Sequence, residues 1–238
     1  MRSSPWRRCI CWCVRRCTAL ALRGAPRPVP RVAAADPQAV KGVSDFIFSA
    51  PFLLIGVFVV LLMAVTVALP AHMVNLLREN GLREVWVIAI PAGIGVIQVL
   101  GRLLLYFFEH HVDPHLANRL IPCLIPLGLL ALLAAPLSAD GQVGAVLLFV
   151  LLYGLGNGML TIVKGTAIAQ YVNRDHVATL NGALGLPLAL ARAAAPVLLG
   201  LLWTAQAGYT HGLWLLLALS VVGVGALMLA QQLALRSR

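Results

Sequence analysis

Apolar residues gather in six long runs along this chain, at about Phe46–Leu69, Val85–Phe108, Leu120–Leu137, Val143–Val163, Leu180–Trp203 and Leu213–Leu233. Each approaches the roughly 20 residues that a helix needs to cross about 30 Å of hydrocarbon. Lipid offers no partner to open backbone groups, so segments of this length are predicted to be α-helices. The third run is the shortest and contains Pro122, Pro126 and Pro136, which leaves its ends loosely defined. The expected fold class is therefore all-α, a polytopic membrane protein whose six transmembrane helices occupy residues 45–238.

Residues 1–44 are expected to form a separate leader and linker. The first 35 contain eight arginines and no acid, and an Arg-rich, acid-free start resembles an organellar transit peptide. Pro26–Pro37 reads as an extended linker. Four cysteines fall in CICWCVRRC (Cys9, Cys11, Cys13, Cys17) with no CxxC pair and no nearby histidine, so zinc is poorly matched. Palmitoylation is one reading of these cysteines. A disordered or spuriously translated leader is the plainer one and the one adopted.

Composition supports the membrane assignment. Hydrophobic residues make up 61% of the chain and charged residues 11%, with a mean hydropathy of +0.91. A soluble domain carries about 25% charged residues. The net charge of +10 does not point to nucleic acid, because the basic residues flank apolar runs and form no aromatic-interleaved stripe.

The same basic residues orient the helices. Lys41, Arg119, Lys164, Arg174, Arg236 and Arg238 share the side of the amino terminus, whereas Arg78 and Arg83 stand alone on the other. Positive residues favour the cytoplasm, so both termini are expected there, in a plasma (inner) membrane.

Enzyme motifs are absent. YGLGNGMLTIVKGT has glycines and Lys-Gly-Thr, but not the order of a phosphate loop, and it lies within an apolar run. In EHHVDPH, His111 and His115 are four apart, yet Pro114 interrupts any helix that would align them. No metal, cofactor or catalytic residue is expected.

Polar residues inside the runs are the better signal. Gln98 and Arg102 share one helical face, and Arg102 lies about 9 Å from the end of its run, within reach of the interface by snorkelling. Lys164 ends its run and reads the same way. Asn157 lies deeper, placed to bind a solute or to bond another helix. His72, after Pro70, reads as an interfacial histidine or as a proton relay.

Arg192 stands apart. In LALARAAAPVLLG it lies about 18 Å into its run, too deep to snorkel easily either way. Arginine stays charged in any protein setting, at a membrane cost of roughly 2.5–3.5 kcal/mol on the insertion scale. None of the eight acids (Asp36, Asp45, Glu79, Glu84, Glu109, Asp113, Asp140, Asp175) falls inside a run. The charge is expected to face a water-filled cavity, an anionic ligand, or an acid on another polypeptide segment.

From about residue 45 to 235 the chain resembles the carboxy-terminal half of a major facilitator superfamily transporter. The resemblance rests on PAHMVNLLRENGL after the first run, IGVIQVLGRLLL in the second, YGLGNGMLTIVKGT in the fourth and LALARAAAPVLLGLL in the fifth. It implies a solute carrier working by alternating access, with these helices standing for the family's seventh to twelfth. The family has twelve helices, so the resemblance also implies a fragment or a half that needs a partner. The family's charged loop motif G-x-x-x-D-R-x-G-R-R is not kept, since EHHVDPH follows Gly101-Arg102 instead.

The functional expectation is transmembrane solute transport, with Arg192, Asn157, Gln98 and Arg102 along the substrate pathway. A non-transporting membrane scaffold is the alternative. The expected partners are the lipid bilayer, a small solute (anionic where Arg192 binds it), and a second six-helix half or another copy of this chain. Nucleic acid is not among them. Reporter fusions at Asp140 and Asp175 are expected to fall on opposite sides of the membrane, with Asp140 outside; both on one side would reject the fourth span.

Overall fold

The structure, a computed structural model, describes residues 46–108, 113–135, 142–173 and 176–236. The leader, its cysteines and its linker lie outside the described residues, as do Glu109–Val112 of EHHVDPH. The described residues form α-helices α1 (Ala50–Glu79), α2 (Glu84–Phe108), α3 (Pro114–Ala134), α4 (Gln142–Tyr171), α5 (Val177–Ala183), α6 (Gly185–Leu201) and α7 (Thr210–Arg236). Their only strand-like feature is an isolated bridge between Thr204 and Gly208. Five helices are long and apolar enough to cross a membrane, or six where α5 and α6, bent by 41°, count as one span.

The break in that span has a local cause. Pro187 has no N–H to give the carbonyl of Ala183, and Leu184 sits between the two helices at φ −78°, ψ −10°. Leu184 is buried, and its side chain packs against Gly56 of α1.

Helix α1 does not stop where its apolar run does. It continues ten residues past Leu69, through Pro70, to Glu79. An interior proline leaves the carbonyl four residues earlier without its helical donor, and lipid cannot supply one. Here that carbonyl belongs to Thr66, and the hydroxyl of the fully buried Tyr153 donates to it at 3.4 Å. The third run also extends, since α3 begins six residues before Leu120. Pro114 occupies the first turn, where its missing N–H costs nothing, and Asp113 caps the helix by accepting from His115 N at 2.9 Å.

Contacts run from α3 to α4, α4 to α2, α1 to α7 and α1 to α6, with α3 also against α7. Between helices in lipid there is no hydrophobic drive, so close backbone approach and hydrogen bonds must do the holding. The glycines of α4 provide the approach. A methyl at Gly154 would collide with Ile97 of α2, and one at Gly158 with the backbone of Gln98. Gly156, two residues from each, points the other way and lies against Leu124 and Ile125 of α3. Residues two apart on a helix differ by about 200°, so alternate glycines seat α4 between two neighbours.

Polar clusters tie the helix ends. Where α1 begins, Asn118 Nδ2 of α3 donates to Gln170 Oε1 (2.6 Å) and to Tyr171 Oη (3.0 Å) of α4. Arg119 Nε donates to Gln231 Oε1 of α7 at 2.7 Å, and Gln231 Nε2 donates to the His115 carbonyl at 3.1 Å. Asn118 and Gln231 are buried, so these bonds remove an otherwise costly pair of amides.

Gly158→Ala is expected to lower the thermal unfolding temperature in detergent. Overpacking costs about 1–3 kcal/mol, against a helix-propensity gain of at most about 1 kcal/mol. Gly165→Ala on the same helix, where an added methyl meets nothing within 4 Å, should leave the transition unchanged or raise it.

Candidate functional site

Arg192 projects from the middle of α6, on a helix that packs mainly against α1. Its side chain is exposed, and among the described residues its one hydrogen bond is from Nη2 to the thioether sulfur of Met63, at 3.5 Å. A thioether is a weak acceptor and carries no charge to balance a guanidinium. The acids among the described residues are Glu79, Glu84 and Asp113, and all three lie at helix ends. Arg78 with Glu84, an exposed pair at 2.6 Å, is the one salt bridge among the described residues.

A second cation stands near the first. Lys164 of α4, half-buried, lies within electrostatic range of Arg192, and neither has an acidic partner among the described residues. Side chains on a helix lean toward its amino-terminal end, which for α6 is the end of the bundle where Lys164 sits. Asn157, Thr161 and Lys164 follow one another at spacings of four and three, so they share one face of α4. Asn157 is half-buried and its amide makes no hydrogen bond among the described residues. Thr161 Oγ1 turns back to the Gly158 carbonyl at 3.1 Å.

The α2 candidates belong to a different contact. Gln98 presses its backbone on Gly158, and its side chain is half-buried with no hydrogen bond among the described residues. Arg102 Nε donates to the Gly158 carbonyl at 3.2 Å. Arg102 therefore fastens α2 to α4, in addition to any reach toward the interface. No hydrogen bond among the described residues joins Arg192 to Gln98, Asn157 or Arg102.

His72 has more to do than an interfacial histidine. Its Nε2 lies 2.9 Å from the Pro196 carbonyl and its Nδ1 lies 3.1 Å from the Tyr209 hydroxyl. A carbonyl only accepts, so Nε2 carries a proton and donates to Pro196, while Nδ1 and the Tyr209 hydroxyl share the other hydrogen bond. One side chain thus links α1, α6 and the residue before α7. Its signal in the sequence was faint, because Tyr209 is 137 positions away. The pairing of Lys164 with Arg192 was equally hidden.

His115, the part of EHHVDPH within the described residues, points its Nδ1 at the Tyr171 hydroxyl, at 3.1 Å. No group of three or more potential metal ligands occurs among the described residues.

No family model, no curated protein and no solved structure matches this chain. The arrangement itself is the guide to function: two cations on apolar helices, within electrostatic range of each other and with no acid to oppose them among the described residues. Such a site attracts anions, and a guanidinium grips a carboxylate or phosphate in two places.

An arginine with a fixed buried counter-ion cannot be removed without stranding that ion, at about 3–5 kcal/mol. Arg192 has no such partner among the described residues, so Arg192→Leu is expected to keep or raise the thermal unfolding temperature in detergent. A clear fall would reveal a structural ion pair.

Proposed function

We propose that this protein is a transport unit for a small anionic solute. Arg192 and Lys164 hold the solute's charge, and Asn157 offers it hydrogen bonds. The observation that carries this reading is the pair of cations, Lys164 on a helix of membrane-spanning length and Arg192 on the bent α5–α6 pair, without an acid beside them among the described residues. Intramembrane charges are expensive and are functional by default. The sequence resemblance to a major facilitator half supports the same reading and suggests alternating access. A second six-helix half, or another copy of this chain, closes the pathway over the exposed faces of α2 and α6. Gln98 and Arg102 then act at the α2–α4 contact, next to the pathway.

Reconstitution of the full chain in proteoliposomes tests the proposal. Uptake of radiolabelled monocarboxylates and inorganic phosphate is expected for one of these classes, with loss of flux in Arg192→Leu. Arg192→Lys keeps the charge without the fork and should retain part of the rate. Lys164→Gln should raise the half-saturating concentration. Equal flux in wild type and Arg192→Leu would refute the role of the arginine. Absence of anion flux in every assembly, including one with a complementary half, would favour a scaffold.

A further inference from the structure

At the far end of the bundle, where α1 finishes, a cavity of about 440 Å³ opens between α1, α3 and the segment joining α6 to α7. Its size falls in the range of about 300–1,000 Å³ that holds small molecules. The joining segment is closed on itself: Thr204 and Gly208 exchange backbone hydrogen bonds at 3.3 and 2.7 Å, and Thr204 Oγ1 accepts from Ala207 N at 3.3 Å. This fold of the segment places Trp203 and Gly208 on either side of the Glu79 carboxylate. Trp203 Nε1 donates to Glu79 Oε1 at 2.6 Å. The other oxygen, Oε2, lies so near Gly208 that an added Cβ would stand 2.7 Å from it. Gly208 also has φ +53°, a conformation that disfavours every residue with a Cβ. The glycine therefore serves both the turn and the room for the carboxylate.

Glu79 Oε2 accepts no hydrogen bond among the described residues. Glu79 is also the only charged group among the described residues that line the cavity. Around it stand the indole of Trp203 and the ring of Tyr209, whose hydroxyl is already committed to His72. Leu76, Leu132, Leu133 and Leu213 supply the apolar part of the lining, beside the polar Asn80, Thr204, Gln206 and Thr210.

We infer that this cavity binds a small organic cation, an ammonium group carried on an apolar body. The ammonium donates to the free carboxylate oxygen in a charge-assisted bond, and the aromatic faces add cation–π attraction. The apolar body lies against the leucines. A hard metal ion fits poorly, since it requires several oxygen ligands and one carboxylate supplies too few. A zwitterionic lipid headgroup fits poorly too, because its phosphate would find no cation among the described residues of the lining. This inference does not rest on the proposed anion transport; it concerns a different end of the helices.

Phenethylamine, protonated at neutral pH, is the probe, with 2-phenylethanol and phenylacetate as its uncharged and anionic counterparts. Titration of the full-length protein in detergent, read by calorimetry and by thermal shift, should show saturable binding of the amine. The alcohol should bind at least tenfold more weakly, and phenylacetate not measurably. Glu79→Gln keeps an acceptor for Trp203 but removes the charge, and should weaken the amine at least tenfold. Leu133→Trp puts an indole into the cavity while keeping Glu79 and should abolish binding, which keeps the test decisive if Glu79→Gln does not fold. Phosphoethanolamine should compete poorly. Absence of saturable amine binding, equal affinity for the alcohol, or full binding by folded Glu79→Gln or Leu133→Trp would each overturn the assignment. Competition by phosphoethanolamine equal to that of the amine would overturn it in favour of a lipid headgroup.

Discussion

Helix α4 must touch two helices at once, and the rest of the bundle is arranged around that contact. In a solvent as apolar as its own side chains, a helix gains nothing by hiding leucines, so adhesion comes from closeness and from hydrogen bonds. Gly154 and Gly158 let α2 approach on one side, while Gly156 lets α3 approach on the other. Between them Tyr153 is fully buried and reaches α1, answering the Thr66 carbonyl that Pro70 leaves open. Tyr153 stands four residues before Asn157, so Asn157, Thr161 and Lys164 continue along the face that Tyr153 turns toward α1.

How far the sequence could be read depended on which forces left a mark in composition. The existence of the spans was legible, because the thickness of hydrocarbon imposes a length and excludes charge. Helix ends were less so. α1 runs on through Pro70 because Tyr153, 87 residues away, meets the open carbonyl, and no local pattern announces such help. α3 starts at Pro114, before its apolar run, because its first turns are held by polar partners: Asn118 is bonded to Gln170 and Tyr171, and Arg119 to Gln231. The break at Leu184 was foreshadowed by Gly182, Gly185 and Pro187, but prolines elsewhere in the chain leave their helices whole.

The candidate site was legible in part for the same reason. A lone arginine deep in an apolar run declares its cost, so Arg192 stood out. Which residues accompany it is a matter of helix rotation. A span apolar on every side carries no stripe to tell its lipid face from its packed one. Lys164 consequently falls within electrostatic range of Arg192, and Arg102 turns out to fasten α2 to α4 at Gly158.

The hydrogen bonds of His72 have a mechanical consequence for the bent span. They attach the carboxy-terminal part of α6 to α1 at the Pro196 carbonyl, and Leu184 interrupts the span about 18 Å away at 1.5 Å per residue. A rod that is pinned at one end and jointed at the other swings only beyond the joint. Arg192, one turn from the pin, belongs to the held segment along with Met63, whereas α5, beyond the joint, is held by α4 and by its buried Leu180. Rotation about Leu184 would therefore shift α5 against α4 and leave Arg192 where it stands.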